Sequence, residues 1–325
     1  MKIALIKLSA LGDVIRTLPL AAAIKKKFPE STLTWITKPN AAEVIETDRN
    51  VDNVMTSKPT EDFDILYNFD IDEQATSLAL QISASQKYGF FSESGYPAAF
   101  NLGAEYYLNT LFDDELKKSN RKTYQQMMFE AAALPYDNTP FSITLSEEEI
   151  KKGKEKLTFT TKGEKTIGIH IGSSPRWPSK AWHEDKIKEF VRELNKKNYK
   201  AIIFGGPEEV EKQQKMISNL REEGIETYSN NPNNTVREFA SLVNACDAMV
   251  CGDSLALHVA TGLNKPTVAL FFCTSPHEVE PYNALTKIVS PKLEEFFPEK
   301  MDQYDEALVK SIAPQEVLTS LYTRL

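Results

Sequence analysis

Lys2-Ile3-Ala4-Leu5-Ile6-Lys7-Leu8-Ser9-Ala10-Leu11-Gly12-Asp13 decides the fold. The β-branched run Ile3 to Leu8 reads as a strand, Gly12 permits a tight turn, and Asp13 to Phe28 continues as an amphipathic, charge-rich helix. Outward from that unit the alternation repeats: Thr32 to Thr37 as strand, Ala41 to Glu46 as helix, Asp64 to Phe69 as a further strand. Strand then helix, repeated, implies a parallel sheet.

Tyr106 to Leu134 reads as helical with a polar break around Ser119 to Arg121, and Pro135, Asn138 and Pro140 close the first half. Glu147 to Lys165 is dense in Lys and Glu, so the boundary lies near 140 to 165, and Thr166 to Ile171 opens a new strand. Beyond it Ile187 to Lys197, Pro207 to Glu222 and Val236 to Asn244 read as helices, with strands at Lys200 to Phe204, Ala248 to Cys251 and Pro266 to Phe272. The predicted class is α/β, with two Rossmann-like, doubly wound lobes facing each other across a cleft and ligands at the carboxyl ends of strands. The lobes are expected at 1–155 and 156–325, with the last helix, 314–324, packing on either.

A length of 325 residues suits two domains, each able to bury a core. The net charge of −8 and 41% apolar content describe a globular chain and argue against wholesale nucleic-acid binding. Lys7 and Asp13 interrupt the opening apolar run, so it is no secretory signal, and no window is long enough to span a bilayer. Cys246, Cys251 and Cys273 are odd in number and lack CxxC spacing, against a disulfide framework or zinc knuckle. A soluble, cytosolic protein is expected.

Four strand ends carry candidate chemistry. Asp13 stands at a helix start beside Ser9 and Gly12: either a helix-stabilising acid or a carboxylate able to take a proton from a hydroxyl. The loop Gly172-Ser173-Ser174-Pro175-Arg176-Trp177-Pro178-Ser179-Lys180 offers hydroxyls and two cations to a diphosphate, and Trp177 and Trp182 argue that it packs on its lobe rather than being a solvated turn. Gly205-Gly206-Pro207-Glu208-Glu209 is either a plain strand-to-helix turn or a turn whose carboxylate accepts ribose hydroxyls. Asp253-Ser254-Leu255-Ala256-Leu257-His258 is either a capped helix with a core histidine or a ligand-facing helix start. The paired acids Asp62/Asp64 and Asp70/Asp72 read as solvated turns, and Lys25 to Lys27 as a wet helix end that touches an anionic membrane at most weakly. Four histidines without HxxxH or HExxH leave a catalytic zinc without ligands.

Ile6 to Pro19 resembles, nearly position for position, the opening signature of glycosyltransferase family 9, the ADP-heptose heptosyltransferases of lipopolysaccharide inner-core assembly. Lys180-Ala181-Trp182-His183-Glu184-Asp185, Gly205 to Glu209 and Asp253 to His258 are similar to its later motifs, in order and approximate spacing. The resemblance implies a GT-B fold, acceptor on the first lobe, nucleotide sugar on the second, and an inverting, metal-independent transfer without cofactor. It implies Asp13 as general base, Lys180 with Ser173 and Ser174 at the donor phosphates, Glu209 or Glu208 at the ribose, and Asp253, Ser254 and His258 lining the sugar and diphosphate pocket. Arg176 adds a second cation where the departing diphosphate gathers charge. Leu255 stands where the family has glycine, Ala181 follows Lys180, and His183 replaces a proline. The implied partners are a nucleotide-sugar donor and a glycolipid or glycan acceptor, with no nucleic acid, at the inner face of the cytoplasmic membrane. Rival readings are a protein-modifying heptosyltransferase, a nucleotide-sugar epimerase of the same fold, and a non-catalytic relative.

Overall fold

A computed structural model of the chain describes residues 1–157 and 164–325. They form two compact units, Met1–Thr144 with His277–Glu280, and Leu145–Pro276 with Pro281–Leu325.

The first unit holds β1 (Lys2–Ile6), β2 (Thr32–Ile36), β3 (Asn53–Met55), β4 (Phe63–Asn68), β5 (Ala84–Glu93) and β6 (Tyr96–Ala99), side by side as β3-β2-β1-β4-β5-β6. All neighbours are parallel except the β5–β6 hairpin. The second unit holds β7 (Thr166–His170), β8 (Lys200–Phe204), β9 (Thr227–Ser229), β10 (Ala248–Gly252), β11 (Thr267–Phe271) and β12 (Leu285–Val289), ordered β12-β11-β10-β7-β8-β9 and parallel throughout. Counted from each sheet's first strand, both run 3-2-1-4-5-6. The chain therefore winds outward one way, returns, and winds out the other, reversing between β1 and β4 in one sheet and between β7 and β10 in the other. At such a reversal the connections leave toward opposite faces and open a crevice at the carboxyl ends of the strands.

Burial on both faces explains the uninterrupted apolar strands. Ile3, Ala4, Leu5 and Ile6 of β1 are fully buried, as is every residue of β10 and β11. The doubly wound α/β class read from the alternation is the observed one, and most of the expected strands match to within a residue. The first helix does not. Asp13 to Phe28 is two helices, Leu11–Ile15 and Leu18–Lys27, with Arg16 and Thr17 between them. Pro19 has no N–H to offer the Ile15 carbonyl, and its ring crowds the turn before it, which favours the observed break over one continuous helix.

The region after β4 is denser than its sequence suggests. Gly89 of β5 has φ +88°, and a Cβ there would stand 1.9 Å from the Asn68 carbonyl oxygen, so only glycine lets β5 pass the end of β4. Helices Leu102–Asn109, Asp114–Ser119 and Tyr124–Ala131 follow, and the expected polar break becomes the Thr123 capping box of the third. Glu280 belongs with this unit: its buried carboxylate accepts from Thr123 Oγ1 at 2.8 Å and from the Tyr136 hydroxyl.

The units divide at 144/145 rather than at the expected 155/156. Helix Glu147–Glu155 looks like a solvated linker because its residues are mostly Lys and Glu, yet it packs on helix Val236–Ala245 of the second unit. Arg237 Nε meets Glu149 Oε1 at 2.5 Å and holds that carboxyl down at about 2, and Gly153 lies so close to Ser241 that a Cβ would stand 2.2 Å from its carbonyl oxygen. Part of the expected boundary stretch, 158–163, lies outside the described residues. The last helix, Pro314–Tyr322, packs on the second unit, where Val317, Leu318 and Leu321 join the core around β7, β10 and β11. The three cysteines are buried free thiols. Among the described residues no helix is long and apolar enough to cross a membrane.

Candidate functional site

In the first unit β1 ends against a buried charge. Lys7 Nζ donates to Asp70 Oδ1 and to the Phe69 carbonyl, each at 2.7 Å, while the other Asp70 oxygen accepts from the backbone N–H groups of Leu8 and of Ser9, the latter at 2.9 Å. Burial alone lowers the Lys7 pKa, but the charges around it, Asp70 foremost, more than reverse this and raise it. The pair bolts the loop after β1 to the end of β4, across the reversal of strand order. Asp70 is thus no solvated turn, being 3% exposed. Asp72 caps helix Glu73–Gln81 through the Ala75 N–H at 3.1 Å, Asp64 accepts the Lys2 N–H at 2.7 Å, and Asp62 is exposed.

Asp13 lies in the first turn of Leu11–Ile15, six residues past Lys7. Its side chain is 32% exposed, and Oδ1 meets Arg16 Nη2 at 2.6 Å. The Arg16 guanidinium carbon sits 3.7 Å from the ring centroid of the buried Tyr124. Gly12 accepts the Arg16 N–H at 3.0 Å, and the Ser9 hydroxyl is buried without a hydrogen-bond partner among the described residues.

In the second unit three of the four candidate stretches converge at the reversal between β7 and β10. Lys180, ending the 3-10 turn Pro178–Lys180, meets Asp253 Oδ2 at 2.9 Å, both largely buried. Gly252 makes this possible: a Cβ there would lie 2.2 Å from the Lys180 carbonyl oxygen, so the backbones touch only because the side chain is absent. Ser254 is the N-cap residue of helix Leu255–Gly262, and its hydroxyl lies 3.4 Å from Nδ1 of His170 at the end of β7. Burial, and then the charge of Lys212, press His170 down to about 4, so its imidazole is neutral at neutral pH. Leu255 and His258 begin the helix and are partly exposed.

The glycine-acid turn meets the same loop from the other side. Glu209 Oε2 accepts the Gly206 N–H at 2.8 Å, and its carboxylate carbon would stand 2.9 Å from a Cβ on Gly172, so it rests against that backbone. Lys212 reaches the Ile171 carbonyl at 3.3 Å, and Asn230 brackets Gly205 with two hydrogen bonds. Glu208, Ser174 and Arg176 are exposed, Ser173 partly so, and Arg176 stands 4.8 Å over the Trp177 ring. Trp182 packs the loop as expected, being 3% exposed with Nε1 donating to Ile312 at 3.2 Å, whereas Trp177 stays half-buried.

Sequence reading gives Lys7 no partner, takes Asp70 for a solvated turn, and assigns no role to Arg16 and Tyr124 in the first unit or to His170 and Lys212 in the second. Asp70 had a usable signal: like Asp253 it lies within two residues of the end of a largely buried strand, at the same relative place in its sheet. Among the described residues no group of three or more His, Cys, Asp or Glu is placed to hold a metal ion.

Asp70→Asn leaves the Lys7 ammonium buried without its counter-charge and is expected to cost about 3–5 kcal/mol of stability in urea unfolding. A loss no larger than that of an exposed Asp62→Asn control would show the pair to be dispensable. For His170 the folded pKa of about 4 lies below the ordinary 6.5, so on acidification the unfolded chain takes up the proton first. Its stabilising contribution is complete above pH 6.5 and is lost as pH falls toward 4, by roughly 1–3 kcal/mol. His170→Gln should flatten that part of the stability–pH curve.

The family model of glycosyltransferase family 9 (heptosyltransferase) matches residues 60–306, taking in the Lys180, Glu209 and Asp253 stretches. The lipopolysaccharide core heptosyltransferase OpsX of Haemophilus influenzae is 21% identical over 301 residues, 88% of this chain and 83% of that protein. Among solved structures, the glycosyl transferase family 9 protein of Veillonella parvula superposes with a TM-score of 0.76 at 20% identity, over 99% of this chain and 96% of that one. The ADP-heptose lps heptosyltransferase II of E. coli gives 0.74 at 18% identity, over 99% and 98%. The family resemblance read from the motifs is borne out, and with two doubly wound sheets of matching order in the GT-B manner this chain belongs to glycosyltransferase family 9.

Proposed function

We propose that this glycosyltransferase moves a heptose from ADP-heptose to a hydroxyl of a lipopolysaccharide core acceptor, with inversion and without a bound metal. The observation that carries the reading is the Lys180–Asp253 pair at the β7/β10 reversal, a cation on a built support where an α/β fold binds its ligand. The likeness to lipopolysaccharide heptosyltransferases supplies the sugar and the acceptor class.

In this reading Lys180 receives the negative charge of the departing diphosphate, with Ser173, Ser174 and Arg176 around it. Glu209, rather than the outward Glu208, takes the ribose hydroxyls, and Asp253, Ser254, Leu255 and His258 line the sugar and diphosphate pocket. Asp13 accepts the proton of the acceptor hydroxyl as that oxygen bonds to the anomeric carbon and the bond from that carbon to the phosphate oxygen breaks, its electrons leaving with ADP. Ser9 and Gly12 shape the loop that presents it. One base suffices for a direct displacement, and lysine, arginine and backbone N–H groups supply the charge stabilisation a metal would otherwise give. Leu255 puts a side chain where the family's glycine leaves room and so shapes the sugar's pose. A glycolipid acceptor places the work at the cytoplasmic face of the inner membrane. Lys25 and Lys26 do little to hold the protein there, because Asp52 and Asp137 already pair with them at 2.5 and 2.8 Å.

Asp13→Ala is expected to cut ADP release in the presence of a core acceptor by about 10²–10⁴-fold, in buffer containing EDTA. Wild-type turnover in that variant removes Asp13 as base, and loss of wild-type turnover in EDTA that magnesium restores removes the metal-free mechanism. Lys180→Ala should weaken ADP binding by roughly 10- to 100-fold while leaving adenosine nearly unaffected, as loss of a charged hydrogen bond predicts. Equal losses for both ligands, read by calorimetry, would contradict the phosphate assignment.

A further inference from the structure

We propose that Arg16 is the positioning residue of Asp13, a guanidinium clamp set on the ring of Tyr124 that holds the carboxylate in one orientation and in its charged form. The inference rests on the reading of Asp13 as the base.

The clamp is an i,i+3 pair at the end of a short helix. Because Pro19 stops a continuous helix, Arg16 ends the short helix Leu11–Ile15, its N–H donating to the Gly12 carbonyl at 3.0 Å, one turn from Asp13. There its guanidinium reaches Asp13 Oδ1 at 2.6 Å and covers Tyr124 at 3.7 Å from the ring centroid. Tyr124 is 1% exposed and cannot yield. Tyr107 meets it edge-on, with ring centroids 6.0 Å apart. A second tie runs through Thr17, whose hydroxyl donates to the Asp13 carbonyl at 2.7 Å and lies 3.1 Å from the Tyr124 hydroxyl. Both the backbone and the side chain of Asp13 are thereby referred to one buried ring.

The charged and titratable groups near Asp13 among the described residues include Arg16 from its own helix, Lys7 from the loop after β1 and Tyr107 from a helix packed behind, with Tyr124 under the Arg16 guanidinium. Lys7 is committed to Asp70 at 2.7 Å, and Tyr107 stays a neutral phenol because burial raises it. Arg16 is bonded to the carboxylate directly, at 2.6 Å. A neighbouring opposite charge favours the ionised acid, and a planar guanidinium laid on a ring gives its Nη2–Oδ1 contact a fixed direction that a lysine's rotating ammonium lacks. Displacing a catalytic group by about 1 Å can cost about 10²-fold in rate, so orientation is where the clamp acts.

The test is steady-state transfer from ADP-heptose to a core acceptor across pH, for Arg16→Ala, Arg16→Lys, Tyr124→Leu and Asp13→Asn. Arg16→Ala should lower kcat roughly 10- to 100-fold with donor KM within about twofold, and shift the acid limb of kcat/KM upward by about one pH unit. Arg16→Lys should restore the acid limb but only part of kcat, and Tyr124→Leu should lower kcat toward the Arg16→Ala level. Unchanged kcat in Arg16→Ala, or reduced kcat with the acid limb unmoved, overturns the clamp. Should Arg16→Ala fail to fold, the lysine and leucine variants decide: wild-type kcat in both overturns it, and the split between acid limb and kcat supports it. Asp13→Asn separates the two ideas. Lost turnover there with an unmoved limb in Arg16→Ala overturns the clamp alone, whereas wild-type turnover in Asp13→Asn overturns the base assignment and the clamp with it.

Discussion

Two adjacent parallel strands whose chains leave toward opposite faces cannot close the gap at their carboxyl ends with backbone alone, and both sheets of this protein are organised around that gap. In the first unit a buried ion pair fills it. Lys7 and Asp70 are 4% and 3% exposed, and such a pair is tolerable only because the remaining lone pairs and protons find backbone partners at Phe69, Leu8 and Ser9. The loop that carries Asp13 starts from this fixed point. In the second unit the gap is narrowed differently, by backbone contact at Gly252 and by the His170–Ser254 approach.

The two solutions suit different tasks. A fully buried pair in the first unit is structural, and the exposed part of that site is the Asp13 carboxylate held by Arg16. In the second unit the Lys180–Asp253 pair keeps some exposure, 19% and 15%, and in the proposed reaction a diphosphate would take over part of the lysine's hydrogen bonding. His170 is kept neutral by burial and by the charge of Lys212, whose Nζ reaches the Ile171 carbonyl where the loop Gly172 to Ser174 begins.

Where sequence reading failed, tertiary contacts had overruled composition. Asp70 belongs to an Asp-x-Asp that looks solvated, and it is buried because Lys7 needs it. Helix Glu147–Glu155 looks like a linker because its apolar content is low, and it is held by Gly153 against Ser241 and by Arg237 on Glu149. The β5–β6 hairpin left little periodic trace, since its residues, Gly89 and Phe90 apart, are exposed or only partly buried. The break at Thr17 was legible in Pro19, whose missing N–H is a local fact, yet its consequence was not: nothing nearby in sequence says that Arg16 lands on Tyr124.

Sequence by itself determined the alternation of strand and helix, the placement of Asp13, Lys180, Glu209 and Asp253 at strand ends, and the family those motifs share. These follow from local periodicity and from glycine, proline and acid positions, which act within a few residues. The tertiary structure decided which strand ends meet. Lys7 reaches Asp70 over 63 residues and Lys180 reaches Asp253 over 73, and pairings of that range depend on strand order, which local rules do not encode.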